Sequence, residues 1–262
     1  MKWTSHVINL NNNDQYDPAY VRINPRCVVP TLVVDGKVTT DALNIMNHVQ
    51  THYVNKSTSS LIPVDDESKQ IEMEEWVTLA ESLYIGALSH GKVPGVEHGG
   101  TPAKAAKPKG SIEDTLRKHA KKAKLLEDYV EKFKSKDEYL QQCYESKLRL
   151  VLLAKDTMST ENNMQQVVDV TKEAFDQLAK QLETGPFTKS ISTDGGWLVS
   201  DTFSLADLLW GVVMNRLAFL RIGKELVWKE HEIVEQYAQK LFSRESFQTA
   251  IVEWMKEMKK YK

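Results

Sequence analysis

From about residue 65 onward, every apolar pattern in this chain has the period of a helix, and that restricts the fold more than any other feature. Met73, Trp76, Val77, Ala80, Tyr84 and Ala87 recur at helical spacing. Asp65, Asp66 and Glu67 put negative charge where a helix begins, and His90-Gly91 closes the stretch. Ser111 with Asp114 opens a long charged helix, and Met164, Val167, Val168, Thr171, Phe175, Leu178 and Leu182 form the apolar stripe of a later one. Three more helical stretches follow near 204–221, 224–242 and 244–260, after a loop at 185–196. Residues 92–110, dense in Gly, Pro, Ala and Lys, read as a long basic loop.

The first fifty residues follow different rules. Residues 3–10 are rich in β-formers and run into Asn11-Asn12-Asn13, which predicts a strand and a loop. Asp17-Pro18 supplies a cap and a proline at the first helical position, for a short helix that must stop before Pro25. Residues 31–34 and 37–39 flank Asp35-Gly36, the signature of a tight hairpin. Thr40 can cap a helix from Asp41 to about Tyr53. The polar run 55–60 and Pro63 then read as a linker. The expected division is a domain at 1–54 and an all-helical domain at 64–262.

Composition excludes several classes of function. A net charge of −2 over 262 residues gives no overall field to attract nucleic acid. No run approaches the ~18 apolar residues of a membrane span. Two cysteines, Cys27 and Cys143, cannot make a disulfide framework, and the polar start holds no signal-peptide core, so a cytoplasmic protein is expected. No metal-binding spacing exists: His48 and His52 stand one helical turn apart without a third ligand. The basic run Lys104, Lys107, Lys109, Arg117, Lys118, Lys121, Lys122 and Lys124 is flanked by acids and lacks interleaved aromatics, so it reads as a solvated helix face.

Two motifs carry more information. In Phe203-Ser204-Leu205-Ala206-Asp207-Leu208, Ser204 and Asp207 have the spacing of a capping box, with Phe203 and Leu208 as its hydrophobic staple. In Asn24-Pro25-Arg26-Cys27-Val28-Val29-Pro30-Thr31-Leu32, a proline enters a strand, and Thr40-Asp41-Ala42 follows at a helix start. Such a proline is commonly cis, and a helix N-terminus suits an anionic group. Taken alone, an edge proline and an ordinary cap account for the second motif.

Together, in this order and at this separation, the two motifs resemble the glutathione transferase superfamily. Val29-Pro30 matches its Val-Pro element, Asp41-Ala42 its acidic-then-serine pair, and residues 197–217 its late-helix folding motif. Trp3-Thr4, Asn24-Pro25, Ser89-His90-Gly91 and Trp197-Leu198 bring the chain nearest to the ganglioside-induced differentiation-associated and tetrachlorohydroquinone-dehalogenase-like branch. The implied fold is α+β to mostly α: an incomplete thioredoxin-like N-terminal segment followed by an all-helical domain. In that alignment residues 3–10 match the family's second strand, so its first strand and helix, with the usual reactive residue, would lie upstream of Met1.

The resemblance implies glutathione as co-substrate or ligand, no metal, and an apolar or aromatic electrophile as second substrate. Val29 would pair its backbone with the cysteinyl part of glutathione, Pro30 being cis, and Asp41 would face the γ-glutamyl amine. Ala42 stands where the family has a hydroxyl, and Val28 where it often has a lysine or glutamine, so both ends of the ligand lose a partner. Tyr84 and His90 would border the second-substrate pocket. The expectation is weak glutathione binding with catalysis doubtful; Cys27 is a poor substitute nucleophile without a charged partner. The alternatives are an active transferase or reductive dehalogenase, and a non-catalytic adaptor at the mitochondrial surface; a homodimer fits the family in each case.

Overall fold

A computed structural model describes residues 3–54, 60–63, 65–96, 112–189 and 196–253. A 3-10 turn at Asp14–Tyr16 leads into α1 (Pro18–Ile23), strands β1 (Thr31–Val34) and β2 (Lys37–Thr40), and α2 (Ala42–Tyr53). Then come α3 (Glu67–Ser82), α4 (Ile85–His90), α5 (Ile112–Phe133), α6 (Glu138–Thr157), α7 (Glu161–Thr184) and α8 (Pro186–Lys189). The last described elements are α9 (Leu205–Leu220), α10 (Glu232–Ser243) and α11 (Glu245–Phe247), with π turns at Lys224–Trp228 and Gln248–Glu253. No described helix is long and apolar enough to cross a membrane.

The chain divides into two compact units. The first takes the N-terminal segment together with 113–157, and the second takes 59–112 and everything from 158. This differs from the division expected at 54 and 64, because α5 and α6 group with the N-terminal segment rather than with the other helices. The reason lies in burial. Tyr16, Val21 and Cys27 share one core with Ala123 and Leu126 of α5 and Leu140, Cys143, Tyr144 and Val151 of α6. The Tyr144 hydroxyl donates to the Tyr16 carbonyl at 2.8 Å, and its ring stacks on Tyr129 with centroids 4.7 Å apart. Asp137 accepts from the Leu140 amide at 3.0 Å and pairs with the Arg22 guanidinium.

Local chemistry explains the rest of this unit. Asp17 accepts from the Ala19 amide at 2.8 Å with Pro18 in the first turn, so α1 starts where its cap dictates. β1 and β2 pair antiparallel with Thr31 opposite Thr40 and Val34 opposite Lys37. Asp35 and Gly36 both have positive φ, at 48° and 75°, as a two-residue I′ hairpin requires. Thr40 is occupied in that ladder, so the cap of α2 falls to Asp41 instead. Residues 3–10 form no strand: among the described residues the sheet has only β1 and β2, and an extended segment without a partner joins no ladder.

In the second unit, Trp210 of α9 is fully buried, donates its indole N–H to the Trp76 carbonyl at 3.1 Å and meets Phe175 edge-on. Ser204 and Asp207 stand at the start of α9 as a capping box. Asp207 Oδ2 accepts from the Ser204 amide at 2.8 Å and hydroxyl at 2.7 Å, while Oδ1 accepts from the Leu198 amide and the Tyr237 hydroxyl. Burial pushes this carboxyl up, and those donors oppose the shift.

Three expected helices are interrupted. The stretch closing at His90 breaks at Leu83–Tyr84, giving α3 and α4, with Gly86 in the first turn of α4. The stretch 224–242 begins as a π turn, the Trp228 ring lying over Gly223 where any side chain would collide with it, and α10 starts afresh after His231. The stretch 244–260 is α11 plus a π turn as far as described. α8 occupies the front of the expected 185–196 loop. Ser111, Lys104, Lys107, Lys109 and the basic loop beyond residue 96 lie outside the described residues.

Candidate functional site

The loop between α1 and β1 is held by two side chains from α1 and its cap. Asn24, buried at the end of α1, donates through Nδ2 to the Val28 carbonyl at 2.7 Å and to Thr31 Oγ1 at 2.9 Å. Its Oδ1 accepts from the Arg26 amide at 3.1 Å. The Tyr20 hydroxyl donates to the same Val28 carbonyl at 2.6 Å and lies 2.9 Å from Thr31 Oγ1. Both hydrogens of the Asn24 amide are thereby used, and the two hydroxyls complete each other. This clasp grips residues 28 and 31 and leaves the Val29–Pro30 bond, which is cis, presented between them.

Val29 itself is exposed, and among the described residues its amide and carbonyl make no hydrogen bond. A peptide group held in place yet unpaired is the complement that an extended, peptide-like ligand needs. Asp41 has φ of 79° and caps α2, its Oδ1 accepting from the Leu43 amide at 3.0 Å. Its Oδ2 is 2.7 Å from Arg26 Nη1, so the carboxylate already has a cation. Ala42 is the exposed first residue of α2 and offers only a methyl group.

The structure therefore brings Val29, Pro30, Asp41 and Ala42 into one short stretch of the first unit. Tyr84 and His90 lie in the second unit, at the start and end of α4, and both are exposed. Between them Ser89 is buried, accepting from Arg216 Nε at 2.9 Å.

The remaining reactive side chains are quiet. Cys27 is 1 % exposed, and burial pushes its thiol up to about 11, with nearby Lys147 opposing. Burial also raises Cys143. His48 and His52 stack with ring centroids 4.3 Å apart, and no cluster of three metal-ligating side chains occurs among the described residues. On α5, Arg117 pairs with Asp114 and Lys124 with Asp128, as on a solvated face.

Sequence reasoning missed the supports. Asn24 reads only as the end of a helix and Tyr20 as an ordinary helical residue; their joint grip on Val28 depends on the chain turning back at Pro25. Arg26 gives one usable signal, since strand-like alternation points it away from Cys27, but its pairing with Asp41 crosses the hairpin.

Known proteins resemble the chain in sequence and in fold. Residues 1–52 match the family model for the glutathione S-transferase N-terminal domain. A tetrachloro-p-hydroquinone reductive dehalogenase from Sphingobium chlorophenolicum is 25 % identical over 239 residues, 91 % of this chain and 81 % of the relative. The chain resembles the glutathione transferase superfamily, in sequence at its N-terminal segment and in fold along most of its length. A mouse ganglioside-induced differentiation-associated protein 1-like 1 is 22 % identical over 85 % of this chain and 58 % of its own length. Among solved structures, the beta-etherase LigF of a Sphingobium strain has a TM-score of 0.57 at 16 % identity, covering 94 % of this chain and 86 % of that one. Ure2p in complex with glutathione has a TM-score of 0.57 at 15 % identity, covering 95 % and 87 %. These likenesses share the transferase fold: a short thioredoxin-like part and a helical domain.

Proposed function

We propose that this transferase-like chain binds glutathione weakly, through the Val29 peptide group and Asp41. The observation that carries the reading is the unpaired Val29 backbone beside a cis proline, clasped by Asn24 and Tyr20. A carboxylate at the head of α2 adds a partner for the ligand's amine. Two features keep the affinity low. Ala42 supplies no hydroxyl, and an incoming amine must share Asp41 with Arg26.

Calorimetry with glutathione tests the reading. Binding should be millimolar, and Asp41→Ala should weaken it about tenfold or more, the weight of one charge-assisted hydrogen bond. Cys27→Ser should leave it unchanged. Micromolar affinity, or binding that survives Asp41→Ala and fails in Cys27→Ser, would overturn it.

The named relatives favour a second reading, glutathione-dependent removal of halide from an aromatic ring, with Tyr84 and His90 as contacts for the apolar substrate. The buried Cys27 thiol does not serve as its nucleophile. Halide release from tetrachlorohydroquinone in the presence of glutathione decides that reading; no release above the glutathione-only blank rejects it.

A further inference from the structure

A cleft of about 350 Å³ opens in the first unit between the loop at 25–28 and α6. Arg26 and Val28 lie on one side, and Tyr139, Ser146, Lys147 and Leu150 on the other. Its size is that of a small-ligand site.

Lys147 decides what such a ligand must carry. Its side chain is half-buried, and among the described residues its ammonium makes no hydrogen bond or ion pair. The charges that act on it besides Cys27 are Lys122 and Arg26, both cations, and burial already lowers its proton affinity. Cys27, with its thiol held protonated up to about pH 11, supplies no negative charge near neutrality. Arg26 spends Nη1 on Asp41 and keeps further N–H groups on the same guanidinium. A partly desolvated cation without a counter-ion is costly, and an anion in the cleft offsets that cost. The rest of the lining is mixed: Gln142 and Ser146 are polar, while Val28, Leu150 and Tyr139 offer apolar and aromatic surface, Leu150 at 59 % and Tyr139 at 47 % exposure.

We propose that this cleft binds a small aromatic carboxylate, its anionic group paired with Lys147 and Arg26 and its flat body lying against Val28, Tyr139 and Leu150. Its contacts differ from those of the glutathione reading, Val29 and Asp41, although Arg26 borders both, and it stands if that reading fails.

The test uses the full chain with 1-naphthoate and its neutral counterpart 1-naphthamide, followed by calorimetry. Naphthoate should bind, and naphthamide about tenfold or more weakly, because only the acid forms the charge-assisted contacts. Lys147→Met should weaken the acid by a similar factor and leave the amide unchanged, so the discrimination between the two collapses. Lys147→Gln serves as a second variant should the first fail to fold, and the acid–amide comparison in the natural chain needs no variant. Equal binding of acid and amide, no binding of either at millimolar concentration, or a full preference for the acid in the Lys147 variants would overturn the proposal.

Discussion

Residues 14–28 and residues 31–53 adjoin in sequence and belong to the same compact unit, yet they are held in different ways. The first stretch sinks Tyr16, Val21 and Cys27 into the core formed with α5 and α6, and adds the Tyr144–Tyr16 and Arg22–Asp137 contacts. The second stretch contains β1, β2 and α2, and not one of its residues is buried. Its order comes from local chemistry: a turn with two positive φ values, a four-residue ladder, and an aspartate cap. Burial of apolar area sets the scale of stability, whereas turns and caps choose a conformation at much smaller energies. The proposed ligand contacts Val29, Pro30 and Asp41 sit where the two regimes meet.

The largest effect that would separate the two stretches is a cavity in the shared core. Leu140→Ala should destabilise the first unit by about 3 kcal/mol, measured by denaturant unfolding, since Leu140 is fully buried. A loss below about 1 kcal/mol would show that the α5–α6 core does not hold the N-terminal segment. Tyr144→Phe should cost about 1–2 kcal/mol, because it strips the Tyr16 carbonyl of its donor. A neutral result there would place the anchor in the stacked rings alone.

Acid gives a third and smaller lever. The Leu140 amide, and then the Arg22 guanidinium, hold the Asp137 carboxyl below its ordinary value of 3.8. A carboxyl lowered on folding contributes stability that is fully present above its unfolded value and is lost as pH falls through the folded one. The difference in stability between the natural chain and Asp137→Asn should therefore shrink below pH 3.8. A difference that stays constant down to pH 2 would remove Asp137 from the anchoring of α6. The smallest effect belongs to the exposed hairpin. Val33→Ala should change stability by no more than about 0.5 kcal/mol, and the amides of α2 should exchange with solvent well before those of α6. Equal protection of the two helices would erase the contrast.

Legibility followed the same divide. The Asp17 cap, the Asp35-Gly36 turn, the end of α1 before Pro25 and the Ser204–Asp207 box are each written in a few adjacent residues, and each stands in the structure where those residues put it. Long-range partners were not readable. Nothing near Asp207 announces Leu198 or Tyr237, and nothing in the charged pattern of α5 says that Ala123 and Leu126 pack on Tyr16 and Val21. The grouping of α5 and α6 with the N-terminal segment was missed for that reason. At the candidate site, the Val-Pro element and the acidic residue were legible as a motif, while the Asn24–Tyr20 clasp and the Arg26 pair needed three dimensions. Residues 3–10 show the converse: strand-like composition cannot make a strand without an edge to pair with.

The quiet Cys27 thiol brings this molecule within one substitution of a blank background for labelling. Burial pushes the Cys27 thiol up to about 11 and leaves it 1 % exposed, whereas Cys143, 8 % exposed, lies on the α6 wall of the cleft. A thiol-specific dye offered to the folded chain should therefore ignore Cys27, and with Cys143 replaced by serine it should report only on cysteines placed on the surface. Val33 on β1 and Leu153 on α6 are exposed positions for such a pair. The distance distribution between two probes there would show directly whether the unburied hairpin rides rigidly on its helical support or swings against it.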